Sequence, residues 1–276
     1  MIHVLTIHWK SADWIDIQLK YLKENLKQPF RVYAFLNAVP NVEKHKHKFF
    51  YSSTESIRLH PIKLNLLADI AGFAADSEDD YLMFLDGDAF PIAPLDTLIN
   101  EKLQEFPLIA VQRKENNGDI QPHPCFCMMK IKTWHEIGGD WKHGGVTWKD
   151  KFNKDVWDVG GQMLKILNER NMDWYKINRS NHHKLHPLLF GVYGELIYHH
   201  GAAFRNPGTR VDRNKIKNFE ERLLRFRKAK KYIPRWLARF LFSPLKQEVV
   251  KNKEHSKIVF EMIESDNQLY EKLNDI

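Results

Sequence analysis

Only two cysteines occur in the 276 residues, Cys125 and Cys127, with a single residue between them. That spacing builds neither a disulfide framework nor a zinc knuckle, so an apolar core has to hold the fold. On a strand both thiols fall on one face, and free cysteine there behaves as a small hydrophobe; they read as buried thiols of a reducing cytoplasm. Long apolar runs are also lacking. No stretch approaches the roughly 18 uninterrupted apolar residues of a membrane-spanning helix, so a soluble or peripheral protein is expected. The opening "MIHVLTIHW" is apolar but short and has no basic residues ahead of it, which predicts a first buried strand in place of a signal peptide. Internal repeats and low-complexity tracts are missing as well.

What is present is ample apolar content, 43% of the residues, enough to bury a substantial α/β core. Charge is unevenly placed. From Arg205 to Lys257 there are 17 Lys and Arg against 5 Asp and Glu, leaving 25 against 30 for the remainder, so an acidic body carries a strongly basic tail. Such a tail raises the possibility of nucleic-acid binding. The acidic body and the scarcity of tail aromatics placed for base stacking rank that reading last.

Strand-like and helix-like patterns alternate along the first two-thirds. Val4 to Ile7 is a short strand, and Ile15, Leu19, Leu22 and Leu26 share a helical face before Pro29. Further strands are predicted at "RVYAFLNA" (31–38), "SIRLHPI" (56–62), "YLMFL" (81–85), "PLIAVQ" (107–112) and "FCMMKIK" (126–132), with a helix over 65–75. This order implies a mainly parallel sheet with helices on both faces, whose ligands gather at the carboxyl ends of the strands. Beyond Ile216 the pattern turns basic and amphipathic: Ile216, Phe219, Leu223 and Phe226 form one helical stripe. Trp236, Leu237, Phe240 and Leu241 form another, with Pro234 near its first turn, and a last weakly specified helix follows.

The most informative stretch is "YLMFLDGDAFPI" (81–92), where an apolar strand ends in Asp86 and Asp88 with Gly87 between them. The glycine lets the backbone turn tightly, and both carboxylates leave the core together. Convergent carboxylates repel unless a cation lies between them; hard oxygen ligands suit Mg²⁺ or Mn²⁺, and such an ion seats a diphosphate. A calcium loop would need further acidic or Asn ligands that do not follow. Haloacid-dehalogenase-like phosphatases also place Asp-x-Asp after an apolar strand, with the first Asp, here Asp86, as nucleophile. They normally do so on the first strand.

The strand ending in Asp-x-Asp, the first strand and helix, the second strand ending in Asn37 and the later "YHHG" stretch together resemble a nucleotide-sugar-dependent glycosyltransferase of the GT-A fold, similar to family 2. The resemblance covers roughly Met1 to Arg210 and is most specific at Asp-x-Asp. It implies a Rossmann-like GT-A domain at 1–210, with a donor half (1–112) and an acceptor half (113–210), followed by a basic helical extension at 211–276. It implies Asp88 as a direct ligand of Mn²⁺ or Mg²⁺ with Asp86 as its partner, and a nucleoside diphosphate sugar, UDP-linked first, as donor. In "ELIYHHGAAFRNPG" (195–208) it implies one further metal ligand, His199 best and His200 as the alternative, since strand neighbours face opposite ways. Arg205 and Arg210 are candidates for phosphate, and Thr6, His8 and Asn37 for base or ribose. Asp158, with Asp155 second, matches the base that deprotonates an acceptor, although this stretch is not the usual Glu-Asp pair. "QPHPCF" (121–126), Trp134, Gly138, Gly139 and Trp141 either border the acceptor or, for the tryptophans, fill the core. The acceptor implied is a glycan or lipid-linked glycan of the cell envelope, met in the cytoplasm, with the basic tail against an anionic inner membrane face. The clusters at His45–His47 and His182–His186 read as solvated loops.

Overall fold

A computed structural model of the chain describes residues 1–116, 118–150, 153, 155–181, 189–201 and 219–265. They belong to two compact units, one of Met1–Ser180 with Gly191–His199 and one of Asn181–Phe190 with His200–Ile276. Arg205, Arg210, Ile216 and the histidines of 182–186 lie outside the described residues. No described helix is long and apolar enough to cross a membrane.

The elements in order are β1 (Ile2–Trp9), α1 (Asp13–Asn25), β2 (Phe30–Asn37), α2 (Glu43–Lys46), β3 (Tyr51–Ser53), α3 (His60–Ala74), β4 (Tyr81–Asp86) and β5 (Ala89–Pro91). A π turn at Leu98–Lys102 runs into α4 (Leu103–Glu105), and then come β6 (Leu108–Val111), β7 (His123–Lys130) and α5 (Ile131–Ile137). A small hairpin of β8 (Trp148–Lys149) and β9 (Asp155–Val156) precedes α6 (Gly161–Glu169), β10 (Tyr175–Ile177), β11 (Leu189–Tyr193) and β12 (Ile197–Gly201). The central sheet has seven strands in the order β10-β6-β7-β4-β1-β2-β3. Only β7 runs against its neighbours, so the sheet is mixed and mainly parallel.

Strand alternation divides the core in two. Ile2 and Val4 of β1 pack with Met83 and Leu85 of β4 and Ile15 and Leu22 of α1. Leu5 and Ile7, with Leu82 and Phe84, pack with Leu64, Leu67 and Ala71 of α3 and with α5 and α6 on the other side. Helices therefore cover both faces of the sheet. The tip of β4, the middle strand, is left at the carboxyl edge where the sheet faces neither layer.

Two expectations are corrected here. "SIRLHPI" is not a strand: His60 opens α3 with Pro61 in its first turn, where a proline starts a helix well, and the strand falls earlier, at β3. Cys125 and Cys127 do not share a face. Between Ala110 and Val111 the β6–β7 register jumps from Cys127 to His123, and this bulge turns Cys125 into the α1-side core while Cys127 stays in the other. Both thiols are free and buried, as the sequence indicates. Trp134 and Trp141 take the second of the two roles the sequence allows: they are core residues packed on Phe84, with ring centroids 5.3 and 5.1 Å away.

In the second unit α7 (Phe219–Ala229), α8 (Arg235–Phe242) and α9 (Pro244–Ser265) follow one another. Pro234 stands immediately before the first residue of α8, at its cap. Among the described residues of α9, Val259 and Ile263 are buried apolar positions.

His8 on β1 ties stability to pH. Burial lowers its pKa to about 4 even though Asp88 lies close enough to raise it. A ring that titrates lower folded than unfolded contributes stability that is complete above the unfolded value of about 6.5 and is lost as the pH falls through the folded one. The loss attributable to His8 between pH 7 and pH 4 is on the order of 3 kcal/mol. Urea denaturation of the metal-free protein across that range should show the His8→Gln variant losing markedly less stability than the native chain; parallel curves would contradict the assignment.

Candidate metal and donor site

The site begins with how β4 ends. Leu82, Met83, Phe84 and Leu85 are fully buried, and Asp86 is the first side chain after them to meet solvent. Gly87 is required for a reason other than the turn the sequence suggests, since its φ is not positive. A methyl group there would stand 2.5 Å from the Ile7 carbonyl oxygen and 2.9 Å from His8 Nδ1. Only glycine lets this tip lie against the end of β1. The other side of the tip is fixed by Gln18 of α1, which has no solvent exposure. Its Nε2 donates to the Asp86 carbonyl at 2.9 Å and to the Ala89 carbonyl at 2.7 Å, bracketing Gly87 and Asp88.

Beyond the tip, β5 pairs antiparallel with β12, Pro91 opposite Ile197, Phe90 opposite Tyr198 and Ala89 opposite His199. This register sets the His199 ring beside both carboxylates. His199 Nε2 lies 3.4 Å from Asp86 Oδ2 and 3.4 Å from Asp88 Oδ1, and one ligand atom from each residue falls within 4.8 Å of the others. Burial disfavours a charged imidazole, but the Asp88 carboxylate, then the Cys125 thiol, outweigh it and hold the His199 pKa well above the usual range. Three donors at about 2.1 Å from one ion stand about 3.0 to 3.4 Å apart in octahedral or tetrahedral arrangements, and the two distances from His199 match that spacing. The neighbouring ring does not share this position. His200 Nε2 is 2.5 Å from Ser256 Oγ and its ring meets Phe190 edge-on.

Two residues that the sequence reading overlooked border the site from the first turn of α3. His60 Nε2 lies 3.5 Å from Asp86 Oδ1, and burial lowers its pKa. Lys63 is 5% exposed, its pKa lowered by burial alone. Its Nζ donates to Asn37 Oδ1 at 2.6 Å, and Asn37 Nδ2 donates to the Glu55 carbonyl. Asn37, expected at a donor, is thus the neutral partner of a buried cation for which no carboxylate partner is present among the described residues. Thr6 is fully buried with an unpartnered hydroxyl, and His8 is packed beside Gln18 with Phe49 6.0 Å away. No signal in the sequence singles out Lys63 or Gln18; Gln18 sits in what reads as an ordinary amphipathic helix, and Lys63 falls between the strand and the helix expected there.

Asp158 does not cap α6. Gly160, in a left-handed conformation that presses it on the Pro122 carbonyl, holds that position. The Asp158 carboxylate accepts from Arg113 Nη2 at 3.1 Å, from Asn116 Nδ2 at 3.0 Å and from the Val159 N–H at 2.8 Å, with Asp119 also 3.7 Å from the guanidinium. Asp155 stands on β9, mostly exposed, with Lys149 Nζ at 2.8 Å. Arg205 lies outside the described residues.

No protein-family model and no curated protein sequence matches the chain. Solved structures do. The mannosyltransferase PcManGT from Pyrobaculum calidifontis, in complex with GDP-Man and Mn²⁺, has a TM-score of 0.43 and 12% identity over 99% of this chain and 77% of its own. S. aureus TarS 1-349 has 0.41 and 12% over 99% and 90%, and was also solved with UDP. The glycosyltransferase GlyE of Streptococcus pneumoniae has 0.38 and 15% over 63% and 44%. Against the longer TarS chain and the apo GlyE chain the match spans 30% and 35% of their lengths. Likenesses this remote assign no activity, and the functional reading is drawn from the site.

The clamp on the tip makes a prediction. Gly87→Ala and Gln18→Leu each displace a carboxylate without removing one, so Mn²⁺ affinity measured by calorimetry should fall by about 10- to 100-fold in either variant, as for other supports of metal ligands. Gln18→Glu, which keeps the length of the side chain but not its donors, should not restore it.

Proposed function

We propose that this chain is a metal-dependent glycosyltransferase that moves a sugar from a nucleoside diphosphate sugar, UDP-linked first, to a hydroxyl of a glycan or lipid-linked glycan acceptor. The setting that fits this reading is cell-envelope polysaccharide synthesis at the cytoplasmic face of a membrane. The observation that carries it is the convergence of Asp86, Asp88 and His199 on one point at the carboxyl edge of the sheet. Mn²⁺ or Mg²⁺ held there supplies positive charge to a departing diphosphate, whose negative charge grows as the glycosyl–phosphate bond breaks.

The chain's own residues have distinct tasks in this reading. Asp88 and His199 hold the ion, and Asp86 completes the set while its second oxygen faces His60. Lys63, buried with no counter-charge among the described residues and steadied by Asn37, attracts the anionic donor. Asp158 is the base for the acceptor hydroxyl, aimed by Arg113 and Asn116; Asp155, turned to Lys149, stands behind it. Arg205 adds charge for the phosphates. Transfer by Asp86 as a phosphatase nucleophile is disfavoured by its surroundings, since His60 faces one of its oxygens and His199 the other.

A panel of nucleotide sugars with Mn²⁺ should identify one donor that is turned over, and Asp88→Ala should reduce that rate at least about a hundredfold. An unaffected rate, or an aspartyl-phosphate trapped on Asp86 with no need for nucleotide sugar, would refute the assignment. Lys63→Met should raise the donor KM about tenfold while leaving Mn²⁺ affinity unchanged, because it removes a charge-assisted contact and no metal ligand. In thermal melts the same variant should be as stable as the native chain or more so, since it relieves a buried charge.

A further inference from the structure

Helix α8 is built against the usual logic of a surface helix. Its fully buried position is a small one, Ala238. Trp236 and Phe240, two residues to either side, lie about 160° around the helix from it and are 72% and 59% exposed. Two of the largest side chains of the helix, Trp236 and Phe240, are therefore exposed on the face opposite its buried position. Arg235 and Arg239 stand beside them at the same four-residue spacing, and Tyr232, just before the helix, is 85% exposed. The charge around this face has one sign: residues 223–243 contain seven Lys and Arg and no Asp or Glu.

We infer that this face of α8, with the basic end of α7, is a docking surface for an anionic phospholipid bilayer. Aromatic rings carried outward among arginines match the two layers they would meet, the acyl boundary beneath and the phosphate headgroups above. A protein partner would have to bring a compensating acidic surface, and a second copy of residues 223–243 would set seven like charges against seven. The absence of any acidic residue over the whole stretch is what selects lipid among these occupants. The surface rests on α7 and α8 alone, so lipid binding and sugar transfer are read separately and either can fail without the other.

The test uses the full-length protein and flotation with vesicles of phosphatidylcholine containing about one third phosphatidylglycerol, beside pure phosphatidylcholine. Binding should require the anionic lipid and weaken with salt. Trp236→Ala combined with Phe240→Ala should weaken it at least about tenfold with unchanged circular dichroism. Trp236→Phe, a milder change, should keep most of the binding and abolish the part of the fluorescence that brominated lipids quench. The proposal is overturned if the native chain ignores anionic vesicles, or if the double variant binds them equally well. It is also overturned if the double variant instead abolishes a concentration-dependent dimer or retention by RNA in a protein that does not bind vesicles.

Discussion

Two carboxylates fixed within reach of one imidazole set the terms for the whole carboxyl edge of the sheet. Asp86 and Asp88 cannot relax apart, because Gly87 is pressed on β1 and Gln18 grips the backbone on both sides of the turn. Their repulsion has to be met by positive charge. A proton on His199 meets it in the ion-free protein, despite the burial that disfavours one. A divalent ion needs the same ring nitrogen in its neutral form, so proton and metal are alternative answers to one electrostatic demand. A neighbouring group suits this arrangement: His60 lies against the one remaining oxygen of Asp86.

Much of this was legible in the sequence, and the reason is periodicity. "YLMFLDGD" announces a buried strand with acids at its tip because an uninterrupted apolar run has few other uses, and the structure has β4 there, in the middle of the sheet. The mainly parallel topology was legible from strand–helix alternation; the reversed β7 was not, because apolar runs carry no direction. "SIRLHPI" misled because Ile57, Leu59 and Pro61 alternate like a strand while Pro61 in fact starts a helix.

The site was legible only in part. That only one of His199 and His200 could face the acids was legible, because neighbouring rings on a strand point opposite ways; which one was not, and the pairing of Ala89 with His199 is what brings that ring beside them. Gln18, His60 and Lys63 were not legible, because what distinguishes them is a tertiary neighbour and not a spacing. The same holds for Cys125, turned across the sheet by a bulge that no residue type announces, and for Gly87, whose importance comes from the closeness of Ile7 and not from its own torsion angles.

The register of β12 on β5 has a temporal side. Asp86 and Asp88 lie early in the chain and the ring that joins them lies far downstream, so the donor set closes only when a non-local strand pairing forms. Pairings of that kind are entropically late. During synthesis the acids are therefore made long before they have any means of retaining an ion, and affinity switches on with the final closure of the small sheet. On the proposed reading a metal could not serve as a folding nucleus, since its donor set is complete only once the small sheet has closed.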